Sequence, residues 1–192
     1  MSRRASISYI FIDRDGVINK DPSGWTEHSY VTDWTEFHFL PGVFKALKLL
    51  KEKGIKVIIV SNQGGVSKGF YTQEKLGKIN GLMQKEIRKN GGEVKESFYC
   101  IHRSEDNCNC RKPKPGMFEM AAKKHNIDLK KTYFIGDDKR DVIAGKSAGC
   151  KTVLVLSGKS SREDVKDWPD KPDYIFKDLL EAVNGLVKGE LS

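Results

Sequence analysis

The chain has 192 residues, with 34 lysines and arginines against 26 aspartates and glutamates, which gives a formal net charge of +8. An apolar fraction of 38% with charges of both signs excludes a disordered chain, and this length can bury a core without disulfides. No run of about 18 uncharged apolar residues is present, and residues 1–16 reach charged residues too soon for a secretory signal. We therefore expect one cytoplasmic, monomeric domain over residues 1–192.

Short apolar runs alternate with amphipathic segments along the chain. Residues 8–12 (SYIFI) and 56–60 (KVIIV) are typical of strands buried on both faces, whereas residues 43–53 place apolar side chains on one helical face. The predicted strands are 8–12, 56–60, 97–101, 132–135, 151–156 and 174–176, and the predicted helices are 43–53, 72–89, 115–125, 141–148 and 177–187. This alternation predicts an α/β fold, a Rossmann-like and mostly parallel sheet with helices on both faces.

Polar clusters follow four of the predicted strands. They are Asp13-Arg14-Asp15-Gly16, then Ser61-Asn62-Gln63-Gly64-Gly65, then Arg111-Lys112 after a Cys/His loop, and finally Gly136-Asp137-Asp138. Because ligands bind at the carboxyl ends of parallel strands, we expect these clusters to form one site.

The pair Asp13 and Asp15 indicates the chemistry. Two carboxylates this close repel each other unless a cation or a proton lies between them, which favours a Mg²⁺ site. One carboxylate can attack phosphorus to form an aspartyl-phosphate while the other handles protons. A solvated loop with a glycine turn explains the same residues, and this motif alone does not decide between the two.

Taken together, the four clusters resemble the motifs of the haloacid dehalogenase superfamily of phosphohydrolases. Asp13-x-Asp15-Gly-Val-Ile is similar to its first motif, Ser61 to the second, Lys112 to the third, and Gly136-Asp137-Asp138-x-x-Asp141 to the fourth. The resemblance covers about residues 8–156. It implies a Mg²⁺-dependent phosphatase with a minimal cap.

The resemblance also implies roles for individual residues. Asp13 would be the nucleophile and Asp15 the general acid and base. Mg²⁺ would be held by Asp13, the main-chain carbonyl of Asp15, and Asp137. Ser61, Arg111 and Lys112 would neutralise charge on the phosphoryl oxygens. The expected substrate-binding residues are Asn19, Asn62, Gln63, Arg111 and Lys112, and Asp141 is left open between metal support and a helix N-terminal charge.

A second metal site is predicted in the loop at about residues 100–112. Cys100-x-His102-x5-Cys108-x-Cys110 offers three thiolates and one imidazole, which suit a tetrahedral, structural Zn²⁺. Reduced thiols near the surface are the alternative. Zinc would clamp the loop that carries the two cations of the site, so we expect its removal to lower activity.

The loop resembles that of two related groups of phosphatases, one acting on a heptose bisphosphate and the other on histidinol phosphate. Residues 62–69 and 111–117 favour the heptose group, whereas the five-residue spacer between His102 and Cys108 favours the histidinol group. Asp138 departs from the cation that both groups commonly have there, and Lys139 is a candidate replacement.

Two further readings and one segment stay open. A polynucleotide 3′-phosphatase shares the first motif, and a non-enzymatic zinc-stabilised module is the remaining alternative. We expect a phosphorylated sugar as the partner, and neither nucleic acid nor membrane. Residues 21–41, rich in aromatic residues, form either an anchored loop or a small substrate lid.

Overall fold

The computed structural model describes residues 7–189 and 191. Its strands are β1 (Tyr9–Ile12), β2 (Lys56–Asn62), β3 (Glu96–Cys100), β4 (Tyr133–Gly136), β5 (Lys151–Val155) and β6 (Tyr174–Phe176). Its α-helices are α1 (Val43–Glu52), α2 (Gln73–Lys89), α3 (Gly116–His125), α4 (Lys139–Ala148), α5 (Arg162–Val165) and α6 (Leu179–Lys188). Short 3₁₀ turns lie at Trp34–Glu36 and Leu129–Lys131. None of the described helices is both long and apolar enough to cross a membrane.

The six strands form one sheet in the order β3-β2-β1-β4-β5-β6, and every neighbouring pair is parallel. The α/β prediction is therefore confirmed, and the sheet is parallel throughout the described residues. Chain order reverses on either side of β1, which neighbours both β2 and β4. A ligand cleft is expected at such a reversal, outside the carboxyl ends of the strands.

Two apolar cores lie on opposite faces of the sheet, because successive side chains of a strand point to opposite faces. Ile10 and Ile12 of β1 pack in the core that contains buried residues of α1, α2 and α6. Phe11, between them, packs in the core formed with α3 and α4. The rings of Phe11 and Phe118 meet edge to face at 5.1 Å. Both faces of β1 are thus covered, which explains its uninterrupted apolar sequence.

The helix starts differ from the prediction where aspartates act as caps. Helix α4 begins two residues earlier than predicted because Asp138 is its N-cap and Asp141 completes a capping box. Helix α6 begins two residues later because Asp178 caps it. Helix α5, which was not predicted, has only four residues and no apolar period, and it is capped by Ser161.

Candidate active site

Three buried carboxylates and one buried ammonium lie together at the carboxyl ends of β1 and β4. Oxygens of Asp13, Asp137 and Asp141 all lie within 4.8 Å of one another. The Lys112 ammonium is 2.9 Å from Asp13 Oδ2 and 2.7 Å from Asp141 Oδ1, and its side chain is 2% exposed. With all three carboxylates ionised, three negative charges and one positive charge (−3 + 1 = −2) give this group the charge that a divalent cation balances.

The pKa values of the group reflect its burial and its crowding. Burial raises the pKa of Asp13 to about 6, and the charge of Lys112 opposes that rise. Burial raises the pKa of Asp137 well above its usual range, and the charges of Asp141 and Asp13 raise it further. Burial alone would lower the pKa of Lys112, but the two carboxylates beside it raise it above its ordinary value. Without a bound cation, the surroundings of Asp137 therefore disfavour the charged form of its carboxyl group.

Two glycines allow the backbone to close around Asp137. Gly16, with φ of +79°, and Gly158 both approach so closely that a Cβ at either position would overlap the Asp137 carboxyl group. The Lys159 amide donates to Asp137 Oδ2 at 2.8 Å. Asp141 is also anchored, since its Oδ2 accepts from the amides of Asp137 and Asp138 at 3.1 and 3.2 Å. Asp141 thus completes the capping box of α4, the predicted helix N-terminal role, and also pairs with Lys112; its support of a metal stays a prediction.

Asp15 lies in a cradle of donors beside this group. Its Oδ1 accepts from Arg14 Nε, Arg14 Nη2 and Asn19 Nδ2 at 3.1, 2.9 and 2.9 Å. Its Oδ2 accepts from Arg14 Nη2 at 3.0 Å and from Gln63 Nε2 at 2.8 Å. The guanidinium of Arg14 is fully buried, 5.9 Å from the ring centroids of Phe37 and Tyr99.

Two predicted substrate-binding residues prove to be placed differently. Asn19 and Gln63 are both 0% exposed, and both amides donate to Asp15. Since neither side chain has exposed surface, both hold Asp15, and their burial argues against the predicted direct contact with a substrate. Asn62 does line the cleft, but both ends of its amide bind the main chain of Lys112, at 2.9 and 3.0 Å. Its principal contact therefore fixes the loop that presents Lys112.

Ser61 and Arg111 both lie at the cleft. Both side chains line it, together with Asp13, Asp15 and Lys112. The Ser61 hydroxyl hydrogen-bonds Asp13, which opposes the rise in the pKa of that carboxyl. The Arg111 guanidinium donates to the main-chain carbonyl of His102 at 3.0 Å. Arg111 is therefore held by the cysteine- and histidine-rich loop.

That loop brings its four candidate ligands together. The three sulfur–sulfur distances among Cys100, Cys108 and Cys110 are 3.7, 3.3 and 3.5 Å. His102 Nδ1 lies 3.3 Å from Cys110 Sγ and 3.7 Å from Cys100 Sγ. A zinc ion bound at about 2.3 Å by each sulfur requires edges of roughly 3.8 Å, close to those observed. The remaining cysteine, Cys150, is buried in the core, as expected.

The cleft has a volume of about 250 Å³, and its lining includes six aspartates and five lysines or arginines. Besides Arg111 and Lys112, it is lined by Lys68, Arg140 and Lys159. Lys139, the predicted replacement cation, is not among the lining residues; the next residue, Arg140, is. Arg140 Nη2 pairs with Asp138 Oδ2 at 2.8 Å, so the unexpected aspartate holds a cation beside the cleft.

Residues 21–41 divide between the two alternatives. Trp34 stacks on Phe37 at 5.0 Å and packs against the core, so this end is an anchored loop. The other end lines the cleft through residues that include His28 and Tyr30. The His28 ring stacks on that of Phe70, which follows the polar cluster of residues 61–65 in the chain, with 4.2 Å between the ring centroids. The segment is therefore anchored at one end and forms a wall of the cleft at the other.

The structure adds residues that the sequence pattern did not indicate. Arg14 reads as a solvated loop cation, and Tyr71 follows the second motif without any signal of its own; both are buried. Lys159 and Arg140 line the cleft as well. For Arg140 the available sequence signal is Asp138, the N-cap residue two positions before it.

A parallel α/β sheet with a buried aspartate after β1, a hydroxyl after β2, a lysine paired with that aspartate, and acidic residues after β4 defines a haloacid-dehalogenase-type phosphatase. A family model described as HAD-hydrolase-like matches residues 109–182. Because relatives that are 36% and 37% identical cover 91% of it, the chain belongs to the family of D-glycero-beta-D-manno-heptose-1,7-bisphosphate 7-phosphatases.

The relatives that show this membership match nearly the whole chain. The enzyme of that name from Haemophilus ducreyi is 36% identical over an alignment of 182 positions, which covers 91% of this chain and 95% of the relative. The one from Helicobacter pylori is 37% identical over 175 residues, with coverage of 91% and 96%. The crystal structure of D,D-heptose 1,7-bisphosphate phosphatase from B. bronchiseptica, complexed with magnesium and phosphate, matches with a TM-score of 0.87 at 30% identity, covering 95% of this chain and 99% of that one.

Proposed function

We propose that this phosphatase removes the 7-phosphate of D-glycero-β-D-manno-heptose 1,7-bisphosphate with Mg²⁺, through an aspartyl-phosphate on Asp13. The names of its relatives support the substrate. The observation that carries the chemistry is the group of Asp13, Asp137, Asp141 and Lys112, which carries a charge of −2 when its carboxylates are ionised and lies in a cleft that further cations line.

The residues present fit Mg²⁺, which prefers oxygen ligands and bridges carboxylates to substrate phosphates. Asp13, Asp137 and the main-chain carbonyl of Asp15 would hold it, while Asp141 is engaged by Lys112 and by two helix amides. When bound, Mg²⁺ supplies positive charge that offsets the repulsion between the Asp13 carboxylate and the phosphate.

Asp13 is oriented for attack by its own surroundings. Its Oδ1 accepts from the Arg14 amide at 2.7 Å, and its Oδ2 faces the Lys112 ammonium at 2.9 Å. In the first step an Asp13 oxygen bonds to phosphorus, the bond from phosphorus to the sugar oxygen breaks, and Asp15 gives its proton to that oxygen. In the second step Asp15 takes a proton from water, the resulting hydroxide attacks phosphorus, and inorganic phosphate leaves Asp13.

Charge on the phosphoryl oxygens would be neutralised by Lys112, Ser61 and Arg111. Such preorganised donors typically contribute factors of about 10²–10³ each in rate. The further cations of the cleft, Lys68, Arg140 and Lys159, favour a substrate with more than one anionic group.

We also propose a structural Zn²⁺ on Cys100, His102, Cys108 and Cys110. Support comes from the near-tetrahedral spacing of these atoms. The loop carries Arg111, and the adjacent Arg103 donates from Nε to the carbonyl of Ser67 at 2.8 Å. Zinc would thus set the position of two loops that border the cleft, without taking part in the reaction. Metal analysis of the purified protein should find about one zinc per chain.

The test is phosphate release from the heptose bisphosphate, with histidinol phosphate measured in parallel. We expect turnover that requires Mg²⁺, a specificity constant that favours the heptose ester, and no detectable turnover by Asp13→Asn. Asp170→Asn, an exposed aspartate outside the cleft, is the matched control and should behave as wild type. With 4-nitrophenyl phosphate, whose leaving oxygen needs no proton, Asp15→Asn should accumulate phosphorylated Asp13, detectable by mass spectrometry of the intact chain. An active Asp13→Asn chain would contradict the mechanism, and preference for histidinol phosphate would contradict the substrate.

A further inference from the structure

A buried tyrosine outside the sequence motifs is linked to the proton-transfer residue through one amide. Tyr71 is 5% exposed, and its hydroxyl lies 2.7 Å from Gln63 Oε1. At the other end of that amide, Gln63 Nε2 lies 2.8 Å from Asp15 Oδ2 and 3.3 Å from Ser61 Oγ. One amide therefore connects Tyr71 with two residues that line the cleft.

The chemistry of the partners gives the amide a single orientation. The oxygen of a side-chain amide carries no hydrogen, so Tyr71 must donate to it. An ionised carboxylate only accepts, so Asp15 requires the NH₂ end. A rotated amide would set its oxygen against the Asp15 carboxylate and lose that hydrogen bond. The main chain of Gln63 is also fixed, since its N–H donates to the carbonyl of Cys100 at 2.7 Å.

The two oxygens of Asp15 differ in how fully they are occupied. Three donor contacts from Arg14 and Asn19 fill Oδ1, at 2.9–3.1 Å. Oδ2 accepts from two donors, Arg14 Nη2 at 3.0 Å and Gln63 Nε2 at 2.8 Å. The first of these is shared with Oδ1. Oδ2 thus keeps more lone-pair capacity for a proton. The Gln63 amide fixes the orientation of Asp15 Oδ2, and with it the direction in which this oxygen holds the proton.

We propose that Tyr71 and Gln63 form a positioning pair for proton transfer. Tyr71 locks the Gln63 amide, and the two N–H bonds of that amide hold Asp15 Oδ2 and the Ser61 hydroxyl in a fixed relation. Neither residue touches substrate, because Gln63 is 0% exposed and Tyr71 is covered by the chain around Gly65. This inference rests on the proposed function in one respect, namely that Asp15 protonates the leaving oxygen.

The experiment compares an alkyl phosphate, whose leaving oxygen needs a proton, with 4-nitrophenyl phosphate, whose leaving oxygen does not. Tyr71→Phe should lower kcat for the alkyl ester about 3- to 10-fold, the worth of one neutral hydrogen bond, with KM within about 2-fold and the aryl ester little affected. Gln63→Met should lower the alkyl rate by about 100-fold and reduce the ratio of alkyl to aryl kcat. In the double variant, Tyr71→Phe should add nothing to Gln63→Met, because it acts only through that amide.

Tyr133→Phe is the matched control, since Tyr133 is also 5% exposed and its hydroxyl donates to the Leu191 carbonyl at 2.7 Å. It should cost a similar amount of stability and leave both rates unchanged. Equal losses on the alkyl and aryl esters, or effects of the two variants that multiply, would overturn the positioning role. The ratio of alkyl to aryl kcat can also be measured for Gln63→Met, which leaves the tyrosine unaltered. Failure of the wild type to act on the heptose ester, by contrast, concerns the proposed substrate alone.

Discussion

Replacing Lys112 by methionine tests whether the buried ammonium balances the carboxylate group. Methionine keeps an unbranched side chain of similar length but removes the charge. Asp13 and Asp141 lose the cation at 2.9 and 2.7 Å, and the group changes from a net charge of −2 to −3. Since all these side chains are buried, water cannot replace the missing charge.

The magnitude follows from the geometry. At an effective dielectric of about 20, each contact is worth about 6 kcal/mol before the cost of burying the charges is subtracted. Removing one partner of a buried ion pair typically costs about 3–5 kcal/mol net. A chain of this size changes its melting temperature by about 2–4 °C per kcal/mol. We therefore expect Lys112→Met to melt about 6–20 °C below wild type without Mg²⁺.

The assay is thermal denaturation followed by circular dichroism, in protein dialysed against Mg²⁺-free buffer, because a strong chelator would also compete for the proposed zinc. Adding Mg²⁺ should raise the melting temperature of Lys112→Met by more than it raises that of wild type, since the variant carries the more negative group. Lys85→Met, an exposed lysine of α2, is the control and should melt as wild type does. A Lys112→Met chain that melts within about 2 °C of wild type without Mg²⁺ would refute the electrostatic reasoning.

Further predictions concern the other charges and the zinc loop. Asp137→Asn relieves repulsion among buried carboxylates, so calorimetry should show a Mg²⁺-free melting temperature about 3 °C higher and no further rise on adding Mg²⁺; a lower value would contradict the crowding inferred here. Cys110→Ser should lose zinc and raise KM by about 10-fold with a smaller change in kcat, because Arg111 loses its support; an unchanged KM in steady-state kinetics counts against this. Arg140→Ala should raise KM about 5-fold while Lys139→Ala leaves it unchanged, since only Arg140 lines the cleft; the reverse order would show that the cleft is assigned to the wrong cation.

The strands and the position of the site could be predicted because their signals are local. Runs such as KVIIV are buried on both faces wherever a parallel sheet forms, and a polar residue directly after such a run comes to lie at the edge of the sheet. Asp13, Ser61 and Asp137 are of this kind, and all three line the cleft. The four zinc-loop residues are also close in sequence, so their convergence needed no knowledge of the tertiary fold.

The contacts around Asp15 could not be predicted because they depend on distant segments. Arg14 stands between two aspartates and looks solvated, yet Phe37 and Tyr99, from separate parts of the chain, enclose it. Gln63 has a polar amide of the kind that binds substrates. Its burial and its hydrogen bond to Tyr71 become visible only in the tertiary structure. Burial of polar side chains is decided by tertiary packing, which a motif does not report.

The most direct test of the account is the position from which phosphate is released. Incubation of D-glycero-β-D-manno-heptose 1,7-bisphosphate with enzyme and Mg²⁺ should be followed by ³¹P NMR. The account predicts that the 7-phosphate signal is replaced by inorganic phosphate while the 1-phosphate signal persists, and that Asp13→Asn leaves both signals unchanged. Release of the 1-phosphate, or persistence of both signals with the wild-type enzyme, would contradict it.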